Sequence, residues 1–362
     1  MEYPTFSIII PAFKQGSYDE VVNSLKKLEY PLAKIEVIIS LGRNPSLQRN
    51  LAIKKATGEF TLFLDNDSIV SSQLLKEILN GFQLKRRKPY EKKNNPLIRL
   101  SIELTNFIFK NKVRDERVII VGGPNINLLP FNSFWQEIAD SVLQSTFVHW
   151  KMAARYRPIG DLRFASEKEL ILCNLAIANK VLGRKVNFNE LLYPNEENEL
   201  IQRLIKQKNF GFVYNPKAII SRSRRSSLND ILRQFFYYGK GRMEQIKITG
   251  LKDNLIFLAP LFLLVYFIST PFLLLQGTYI IFLPLLVYFS FAFLSSLGFA
   301  LKNKNKILFL VLPSIYIFIH LVYAFGLTIG IFTNFSKKKK SNKKIEDKIK
   351  IEFLKKFNQN NF

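Results

Sequence analysis

The stretch Phe60-Thr61-Leu62-Phe63-Leu64-Asp65-Asn66-Asp67 joins a short apolar run to two carboxylates that lie one residue apart. A run of this length, followed by turn-forming residues, predicts a buried strand. Two carboxylates just past such a strand can turn together toward one hard divalent cation, and such a cation neutralises a diphosphate. Asp and Asn also form ordinary polar turns, so the tripeptide alone suits a turn that binds nothing.

Two further strands precede this one. Phe6-Ser7-Ile8-Ile9-Ile10 and Ile35-Glu36-Val37-Ile38-Ile39 are largely apolar, and a helix is predicted between them from about Tyr18 to Leu28. This alternation predicts a parallel sheet with right-handed crossovers, in which ligands bind beyond the carboxyl ends of the strands. No Gly-x-Gly-x-x-Gly or phosphate-loop signature follows the first strand, which disfavours a dinucleotide or ATP site. Three segments at that edge are expected to form one nucleotide pocket: Pro11 to Gln15, Ser40 to Arg43 and Asp65 to Asp67.

Two segments before the acidic pair add a specific context. Gln48-Arg49-Asn50-Leu51-Ala52-Ile53 and Ala56-Thr57-Gly58-Glu59-Phe60 follow one another in order. This ordered block resembles the nucleotide-sugar half of family 2 glycosyltransferases. The resemblance covers roughly Phe6 to Arg242 and is interrupted from Lys85 to Arg117. It implies an α/β fold of the GT-A type, with a mixed, mainly parallel sheet flanked by helices and followed by an α-helical transmembrane region.

The resemblance also implies how a nucleotide-sugar donor is bound. It makes Asp65 and Asp67 the ligands of a Mg²⁺ or Mn²⁺ ion. The implied donor-binding residues are Pro11, Ala12, Phe13, Arg49, Asp65, Arg224 and Arg225. The last two arginines are expected to stabilise the leaving diphosphate, although they equally suit a basic collar beside a membrane. Three residues depart from the family pattern: Gln15, Leu41 and Ser221.

The acceptor side is predicted from a glycine-containing segment. Val121-Gly122-Gly123-Pro124-Asn125 follows a predicted strand and resembles the acceptor loop of a subgroup of the family. Gly123, Pro124 and Asn125 are therefore expected to contact the acceptor, and Trp135 is expected to stack on a sugar ring. A strand-ending turn and a core tryptophan explain the same residues equally well.

The candidate catalytic residues lie in Pro194-Asn195-Glu196-Glu197-Asn198-Glu199-Leu200, which resembles the family's Glu-Asp-x-Glu-Leu element. An inverting transfer needs a carboxylate that takes the proton of the acceptor hydroxyl. Glu197 matches the usual aspartate and is the predicted base, with Glu196 as the alternative. The same acids also suit the first turn of a helix predicted from Leu200 to Gln207, because the helix dipole favours negative charge there.

Long uncharged runs predict a membrane region. No charged residue lies from Asn254 to Leu301 or from Ile307 to Ser336. A span needs about 20 apolar residues, so the first run supplies two segments, separated at Gln276-Gly277-Thr278, and the second supplies one. Met1 to Pro11 lacks the features of a secretion signal. The single cysteine, Cys173, fits a reducing compartment. We therefore expect a multi-pass protein of the cell membrane with a cytosolic catalytic domain.

The net charge of +25 is unevenly distributed. Lys85 to Arg117 holds eleven basic and four acidic residues, and Lys337 to Lys356 holds ten basic and three acidic residues. Neither stretch interleaves aromatic residues as a nucleic-acid module does, so anionic membrane lipid is the predicted partner and nucleic acid is disfavoured. A solvated lysine tail is the alternative for the second stretch. Leu97 to Phe109 predicts an amphipathic helix, either in the membrane interface or on the protein surface.

The predicted topology contains a conflict. Three full spans after a cytosolic domain place the tail from Lys337 to Phe362 outside, whereas the positive-inside bias places it in the cytosol. Either one apolar segment is re-entrant or the tail is an exception to the bias. A helix on anionic lipid is predicted for the tail because four apolar residues recur at intervals of four. They are Ile345, Ile349, Phe353 and Phe357.

The sequence thus predicts four regions. They are a catalytic domain at 1–225 with a basic insertion at about 85–117, a juxtamembrane helix at 226–253, about three hydrophobic segments at 254–335 and a Lys-rich tail at 336–362. The predicted function is that of a membrane-anchored inverting glycosyltransferase, acting on a lipid-linked or surface-glycan acceptor. A non-catalytic membrane scaffold that retains the fold is the alternative. A nucleotidyltransferase is disfavoured because Pro11 to Gly16 is not a glycine-rich, arginine-containing loop.

Overall fold

A computed structural model describes residues 3–85, 117–182, 187–207 and 210–359 of the chain. Most of the basic insertion lies outside the described residues, and so does the amphipathic helix predicted from Leu97 to Phe109. The strands are β1 Phe6–Ala12, β2 Ile35–Leu41, β3 Phe60–Leu64, β4 Ile69–Val70, β5 Arg117–Gly122, β6 Asn125–Asn127, β7 Arg163–Phe164, β8 Asn174–Ala178, β9 Phe210–Tyr214, β10 Ile220–Arg222 and β11 Lys350–Lys355. The α-helices are α1 Asp19–Leu25, α2 Pro45–Ile53, α3 Leu74–Phe82, α4 Phe134–Gln144, α5 Thr146–His149, α6 Glu196–Lys206, α7 Leu228–Thr249, α8 Ala259–Leu275, α9 Phe282–Lys302, α10 Ile307–Ile331 and α11 Phe335–Glu346.

The large sheet has the strand order β11-β2-β1-β3-β8-β5-β9-β7. The pairs of β1 with β2, β1 with β3, and β5 with β9 are parallel. The other four pairs in the sheet are antiparallel. Side chains of β1 alternate between two cores: Ile8 and Ile10 pack on one face of the sheet, and Ile9 packs on the other. Burial of both faces explains why the first strands read as continuous apolar runs, and the predicted mixed α/β fold is confirmed.

A small second sheet has the strand order β4-β10-β6. Strand β10 pairs antiparallel with β4 and parallel with β6, so that Arg222 lies beside Asn127. Since β4 follows the acidic turn at Asp65 to Asp67, this sheet brings the turn next to the basic segment that begins at Arg222. The acidic turn and the basic segment are distant in sequence, and the small sheet brings them together.

Helices α7 and α10 are in close contact. A Cβ on Gly239 would lie 2.1 Å from the carbonyl oxygen of Tyr323, and one on Gly326 would lie 2.2 Å from that of Phe236. Both distances are too short for any side chain, so glycine is required at these two positions for the helix backbones to touch. The contact fixes the apolar C-terminal region against α7.

Three helices in the described residues are long and apolar enough to cross a membrane: Leu255–Leu275, Tyr279–Lys302 and Ile307–Ile331, of 21, 24 and 25 residues. The first two include short 3-10 turns that precede α8 and α9. The break between them falls at the predicted residues, since α8 ends at Leu275 and its cap is Gln276. The predicted number and placement of apolar segments agree with these helices.

The C-terminal tail differs from its prediction. Helix α11 ends at Glu346, and the following residues form β11, which pairs antiparallel with β2 and sets Phe353 opposite Ile38. The Lys355 ammonium donates hydrogen bonds to the carbonyl oxygens of Leu32 and Ile35 at 2.6 and 3.0 Å. The prediction of one lipid-bound helix through Phe357 is wrong, because the free edge of β2 offers backbone groups that a strand satisfies and a helix does not.

Strand β11 bears on the open question of which side of a membrane holds the tail. Both β11 and the N-terminal strands belong to one sheet, so the tail and the N-terminal domain lie on the same side of any membrane. A chain that begins and ends in one sheet crosses a membrane an even number of times or not at all. The three apolar helices therefore cannot all be full spans.

Candidate active site

The two aspartates of the acidic turn face the same cation, the guanidinium of Arg222. Its Nη1 lies 2.7 Å from Oδ2 of Asp65, and its Nη2 lies 2.9 Å from Oδ2 of Asp67. Its Nε lies 2.7 Å from Oδ1 of Asp67. Asp65 follows the last residue of β3 and Arg222 is the last residue of β10, so the ends of two strands hold this cluster together.

Arg49 joins the acidic turn to the predicted catalytic acids. Its Nη2 donates to Oδ1 of Asp65 and its Nη1 donates to Oε1 of Glu196, both at 2.9 Å. Helix α2 presents Arg49 in its second turn and begins after Asn44, whose side chain accepts a hydrogen bond from the backbone of Leu47 at 3.1 Å. All four carboxylate oxygens of Asp65 and Asp67 are thus in contact with a guanidinium.

Charge pairing changes the acidity of this cluster. Burial acts to raise the pKa of Asp65, but Arg222 and Arg49 outweigh it and hold that pKa below its ordinary value. Burial likewise acts to lower the pKa of Arg222, and the aspartates outweigh it, so that this pKa is raised. Asp65 is therefore a carboxylate and Arg222 a cation throughout the physiological pH range.

Glu196 and Glu197 occupy the first turn of α6, which starts four residues earlier than predicted. Oε1 of Glu197 lies 3.5 Å from Nη1 of Arg155. Burial raises the pKa of Glu196 to about 8, despite the opposing attraction of Arg49. The preceding residue, Asn195, has φ of 84° and its side chain accepts a hydrogen bond from Asn198 at 2.7 Å. A left-handed non-glycine residue directly before two buried acids is the kind of strain found at functional sites.

These charged groups line one cavity of about 960 Å³. The cavity lining includes Asp65, Asp67, Glu196 and Glu197, together with Arg49 and Arg222. It also includes residues of α5, the residues after it, and residues of the apolar helices α8, α9 and α10. The cavity is therefore lined both by a charged cluster and by helices that are suited to a membrane.

The structure brings together some of the predicted site residues and not others. Predicted residues that line the cavity are Arg49, Asp65, Asp67, Asn125, Glu196, Glu197, Arg224 and Arg225. Predicted residues that do not line it are Pro11, Ala12, Phe13, Gly123, Pro124 and Trp135. The first group contains every charged residue of the predicted site, and the second group contains none.

The predicted nucleoside contacts lie at the carboxyl end of β1, outside this cavity. Pro11 and Ala12 are buried, and the carbonyl oxygen of Ala12 accepts a hydrogen bond from Nε2 of Gln48 at 3.0 Å. Phe13 is 60% exposed, and the guanidinium carbon of Arg43 lies 4.9 Å from the centre of its ring. The sheet edge thus offers an exposed aromatic ring and a cation beside the charged centre.

Several predicted acceptor residues pack within the protein. A Cβ on Gly123 would lie 2.0 Å from the carbonyl oxygen of Ala218, so this glycine allows two backbone segments to touch. The carbonyl of Pro124 accepts a hydrogen bond from Asn174 at 3.2 Å. Trp135 packs against the apolar core between α4, α7, α9 and α10. Of the acceptor set, Asn125 lines the cavity, and its Oδ1 is buried without a hydrogen-bond partner.

Within the basic segment, the arginine that contacts the aspartates was not among the predicted site residues. Arg224 is buried, with Nε 2.9 Å from Oδ1 of Asp140 and Nη2 2.8 Å from the carbonyl oxygen of Asn125. Arg225 is exposed at the cavity wall. Arg222 is instead the residue at the acidic turn. Its position could have indicated this role, because Arg222 directly follows Ile220-Ser221 at the end of a strand. The pair Arg224 and Arg225, which comes next in the sequence, is more conspicuous.

The aspartates provide a donor set that fits a hard divalent cation. Three of their four carboxylate oxygens contact Arg222, and the fourth contacts Arg49. No group of three or more His, Cys, Asp or Glu able to hold a metal occurs in the described part of the chain. Magnesium is commonly held by one or two carboxylates together with substrate phosphates. Asp65 and Asp67 would suit such an ion in the place that Arg222 occupies.

The chain matches no protein-family profile. It is 30% identical over 101 residues to the poly(ribitol-phosphate) beta-N-acetylglucosaminyltransferase TarS of Staphylococcus aureus (strain Mu50 / ATCC 700699), an alignment that covers 20% of this chain and 18% of that protein. The protein of the same name from strain MW2 matches to the same extent. The match spans less than a fifth of the length of these curated relatives.

Solved structures give the more extensive likeness. Mannosyltransferase PcManGT from Pyrobaculum calidifontis, in complex with GDP-Man and Mn²⁺, superposes with a TM-score of 0.50 and 12% identity over 90% of this chain and 88% of that chain. Residues 1–349 of S. aureus TarS in complex with UDP-GlcNAc superpose with a TM-score of 0.33 and 14% identity over 66% of each chain. The first likeness shows that this chain has the fold of a glycosyltransferase.

Proposed function

We propose that this protein is a membrane-anchored inverting glycosyltransferase that transfers a sugar from a nucleotide-sugar donor to a lipid-linked or surface-glycan acceptor. The observation that carries the proposal is the convergence of Asp65, Asp67, Arg49 and the pair Glu196 and Glu197 on one cavity. Acids and arginines in contact at the carboxyl ends of strands suit a phosphorylated ligand and a proton transfer.

The donor is assigned to the charged cluster of the cavity lining. Asp65 and Asp67 would hold Mg²⁺ or Mn²⁺, which neutralises the diphosphate when bound. Arg49, Arg222 and the exposed Arg225 bring positive charge to the same place, where it stabilises the negative charge that grows on the departing nucleoside diphosphate. The nucleoside is assigned to the edge formed by Pro11, Ala12 and Phe13. Arg224 is assigned a supporting part, since Asp140 fixes it.

Glu197 is assigned as the base. It takes the proton of the acceptor hydroxyl as that oxygen bonds to the anomeric carbon, and the bond from this carbon to the diphosphate breaks on the opposite face of the sugar. Arg155 lies 3.5 Å from Glu197 and holds it toward the cavity. Glu196 is the alternative base, but it is already paired with Arg49 at 2.9 Å, which favours a part in positioning that arginine. Asn125 is assigned to the acceptor.

We further propose that α8 and α9 form the membrane hairpin and that α10 lies along the catalytic domain. Both ends of α10 are held there: Asn305, just before the helix, donates to Glu137 at 2.8 Å, and the carbonyl oxygen of Ile331 accepts from Lys247 at 2.8 Å. A hairpin gives the even number of crossings that β11 requires. The Lys-rich helix α11 then lies on the cytosolic side, where anionic lipid attracts it.

Release of nucleoside diphosphate from nucleotide sugars, with Mn²⁺ or Mg²⁺ present, tests the proposal directly. Glu197→Gln is expected to lower kcat by about 10²-fold to 10⁴-fold with little change in donor KM, whereas Glu196→Gln is expected to raise donor KM. A reversed pattern would make Glu196 the base. A folded protein that binds no nucleotide sugar would favour the scaffold function, which the departures at Gln15, Leu41 and Ser221 suggest.

Asp67→Asn tests the donor site separately. Asp67 is half exposed, so the substitution leaves the core intact. Loss of one metal ligand is expected to lower kcat/KM by about 10²-fold, or about 3 kcal/mol. Asp161→Asn, an exposed acid outside the cavity lining, is the matched control. An Asp67→Asn protein as active as Asp161→Asn would contradict the assignment of the acidic turn.

A further inference from the structure

The cavity has apolar as well as charged walls. Besides the charged cluster, its lining includes Ile256 and Leu263 from the region of α8, Tyr288 from α9, and Ile319 from α10. These helices are the ones whose length and composition suit a membrane. A cavity that combines a charged cluster with an apolar wall from such helices suits a ligand with both a polar group and a hydrocarbon chain.

The cavity lining also includes a buried cation. Arg242 of α7 is 3% exposed and lines the cavity. Its guanidinium carbon lies 3.8 Å from the centre of the Phe257 ring, and its Nη1 donates to the neutral Oε1 of Gln245 at 2.8 Å. The hydroxyl of Tyr323 also forms a hydrogen bond with this guanidinium. Glu197 and Glu167 are nearby but lie beyond ion-pair distance. Arg242 is therefore buried without a carboxylate partner among the described residues.

Other buried arginines of the cavity show the contrast. Arg49 contacts two carboxylates, Arg155 contacts Glu197, and Arg224 contacts Asp140. Burying an unpaired charge is costly, so buried cations are normally matched by an anion. Arg242 lacks such a match within the described chain, which indicates that an anionic ligand supplies it.

A second cation contacts the same aromatic ring. Nζ of Lys168 lies 5.8 Å from the centre of the Phe257 ring and 5.3 Å from that of Trp150. Lys168 also lines the cavity. Two cations that line the cavity therefore contact the Phe257 ring, directly before the start of α8.

We infer that the acceptor is a membrane lipid that carries a phosphate, with its phosphoryl oxygens bound by Arg242 and Lys168 and its hydrocarbon chain between α8 and α10. This inference rests on the proposed function and names the acceptor class for that site. The lipid lies with its phosphate toward the carboxylates, so that the group to be glycosylated reaches Glu197. A phosphate-bearing soluble glycan has the same anionic group but lacks a hydrocarbon chain that would pack against the apolar wall of the cavity.

Binding of short probes to the full-length protein in phosphatidylcholine nanodiscs tests this assignment. The probes are farnesyl phosphate, farnesol, inorganic phosphate and ribitol 5-phosphate, without any donor. Farnesyl phosphate is expected to bind about tenfold or more tightly than each of the others, a difference of about 1.4 kcal/mol. Equal binding of farnesol and farnesyl phosphate would overturn the anion site. Tighter binding of ribitol 5-phosphate would assign the acceptor to a soluble glycan instead.

Variants locate the two halves of the site. Arg242→Gln is expected to remove most of the preference for farnesyl phosphate over farnesol, and Arg242→Lys is expected to restore part of it. Lys240→Gln removes the same charge from the same helix outside the cavity lining and is expected to bind as the wild type does. An unchanged preference in Arg242→Gln overturns the assignment.

Leu263→Trp narrows the cavity at its apolar wall and keeps Arg242 in place. It is expected to weaken farnesyl phosphate binding without changing inorganic phosphate binding. This variant tests the inference even if Arg242→Gln fails to fold. Equal farnesyl phosphate binding in Leu263→Trp and the wild type overturns the placement of the chain. Donor hydrolysis measured on the same samples separates failure of this inference from failure of the proposed function, because hydrolysis needs no lipid.

Discussion

Arg222 contacts both oxygens of Asp67, with Nε 2.7 Å from Oδ1 and Nη2 2.9 Å from Oδ2. It also reaches Asp65 at 2.7 Å. One guanidinium thus holds the place where the proposed metal ion would bind, and the ion competes with it. Arg222→Gln leaves two carboxylates without this partner, so we expect Mn²⁺ to bind about tenfold more tightly without donor, a gain of about 1.4 kcal/mol.

Titration of Mn²⁺ by electron paramagnetic resonance measures this change. Arg203→Gln, which removes a surface arginine paired with Glu199, is the control. We expect the turnover of Arg222→Gln to fall despite tighter metal binding, since the leaving diphosphate loses a cation. Unchanged or weaker Mn²⁺ binding would contradict the competition.

His149 predicts a loss of stability in acid. Its ring is buried against Tyr156 and Phe235, and burial lowers its pKa from 6.5 to about 3. The unfolded chain therefore binds a proton below about pH 6.5 that the folded chain does not bind. The contribution of neutral His149 to the free energy of unfolding is therefore fully present above that pH and is lost as the pH falls toward 3. The loss is about 2 kcal/mol at pH 5.

Thermal unfolding at pH 8 and pH 5 measures this loss. His149→Phe keeps an aromatic ring in place and removes the titrating group, so its unfolding midpoint is expected to fall less than that of the wild type between the two pH values. Parallel decreases in the two proteins would show that His149 is not the group responsible.

The side chain of Lys355 is expected to stabilise the pairing of β11 with the rest of the large sheet. Its side chain is 1% exposed and its ammonium donates to the carbonyl oxygens of Leu32, Ile35 and Gln359. Lys355→Met removes these donors and is expected to lower the free energy of unfolding by about 1–3 kcal/mol. Lys356→Met, at the exposed neighbour, is expected to change it by less than about 0.5 kcal/mol. Equal unfolding midpoints for the two variants would contradict the docked strand.

Cysteine labelling tests the membrane topology. Cys173 is buried, so Cys173→Ala provides a background for single cysteines at Gln276, in the turn after α8, and at Ser341, on α11. A membrane-impermeant maleimide is expected to label the first in intact cells and the second only after permeabilisation. Labelling of Ser341→Cys from outside would contradict β11, and protection of Gln276→Cys in intact cells would contradict a crossing hairpin.

Local patterns predicted the elements whose burial is set by nearby residues. Phe60–Leu64 and Phe6–Ala12 form strands because their apolar side chains fill both cores, and the uncharged runs form the long apolar helices. The acidic turn and the start of α6 were predicted from short motifs, and the structure brings Asp65 and Glu196 together through Arg49.

Long-range contacts account for the differences. The spacing of Ile345, Ile349 and Phe353 suits a helix, but the free edge of β2 recruits the second part of this segment as a strand. No local sequence pattern indicates that this edge of β2 is free to pair with another strand. Arg222 acquires its contacts through pairing of β10 with β4 and β6, and Trp135 faces a core built by helices that are far away in sequence.

The pairing of β2 with β11 places a constraint on biosynthesis. Lys355 reaches Ile35 across 320 residues of sequence, and every apolar helix is translated between them. The apolar helices therefore leave the ribosome while one border of the large sheet still lacks its neighbouring strand. With the membrane hairpin that we propose, insertion precedes completion of the sheet, and the last strand joins a domain that is already held at the membrane.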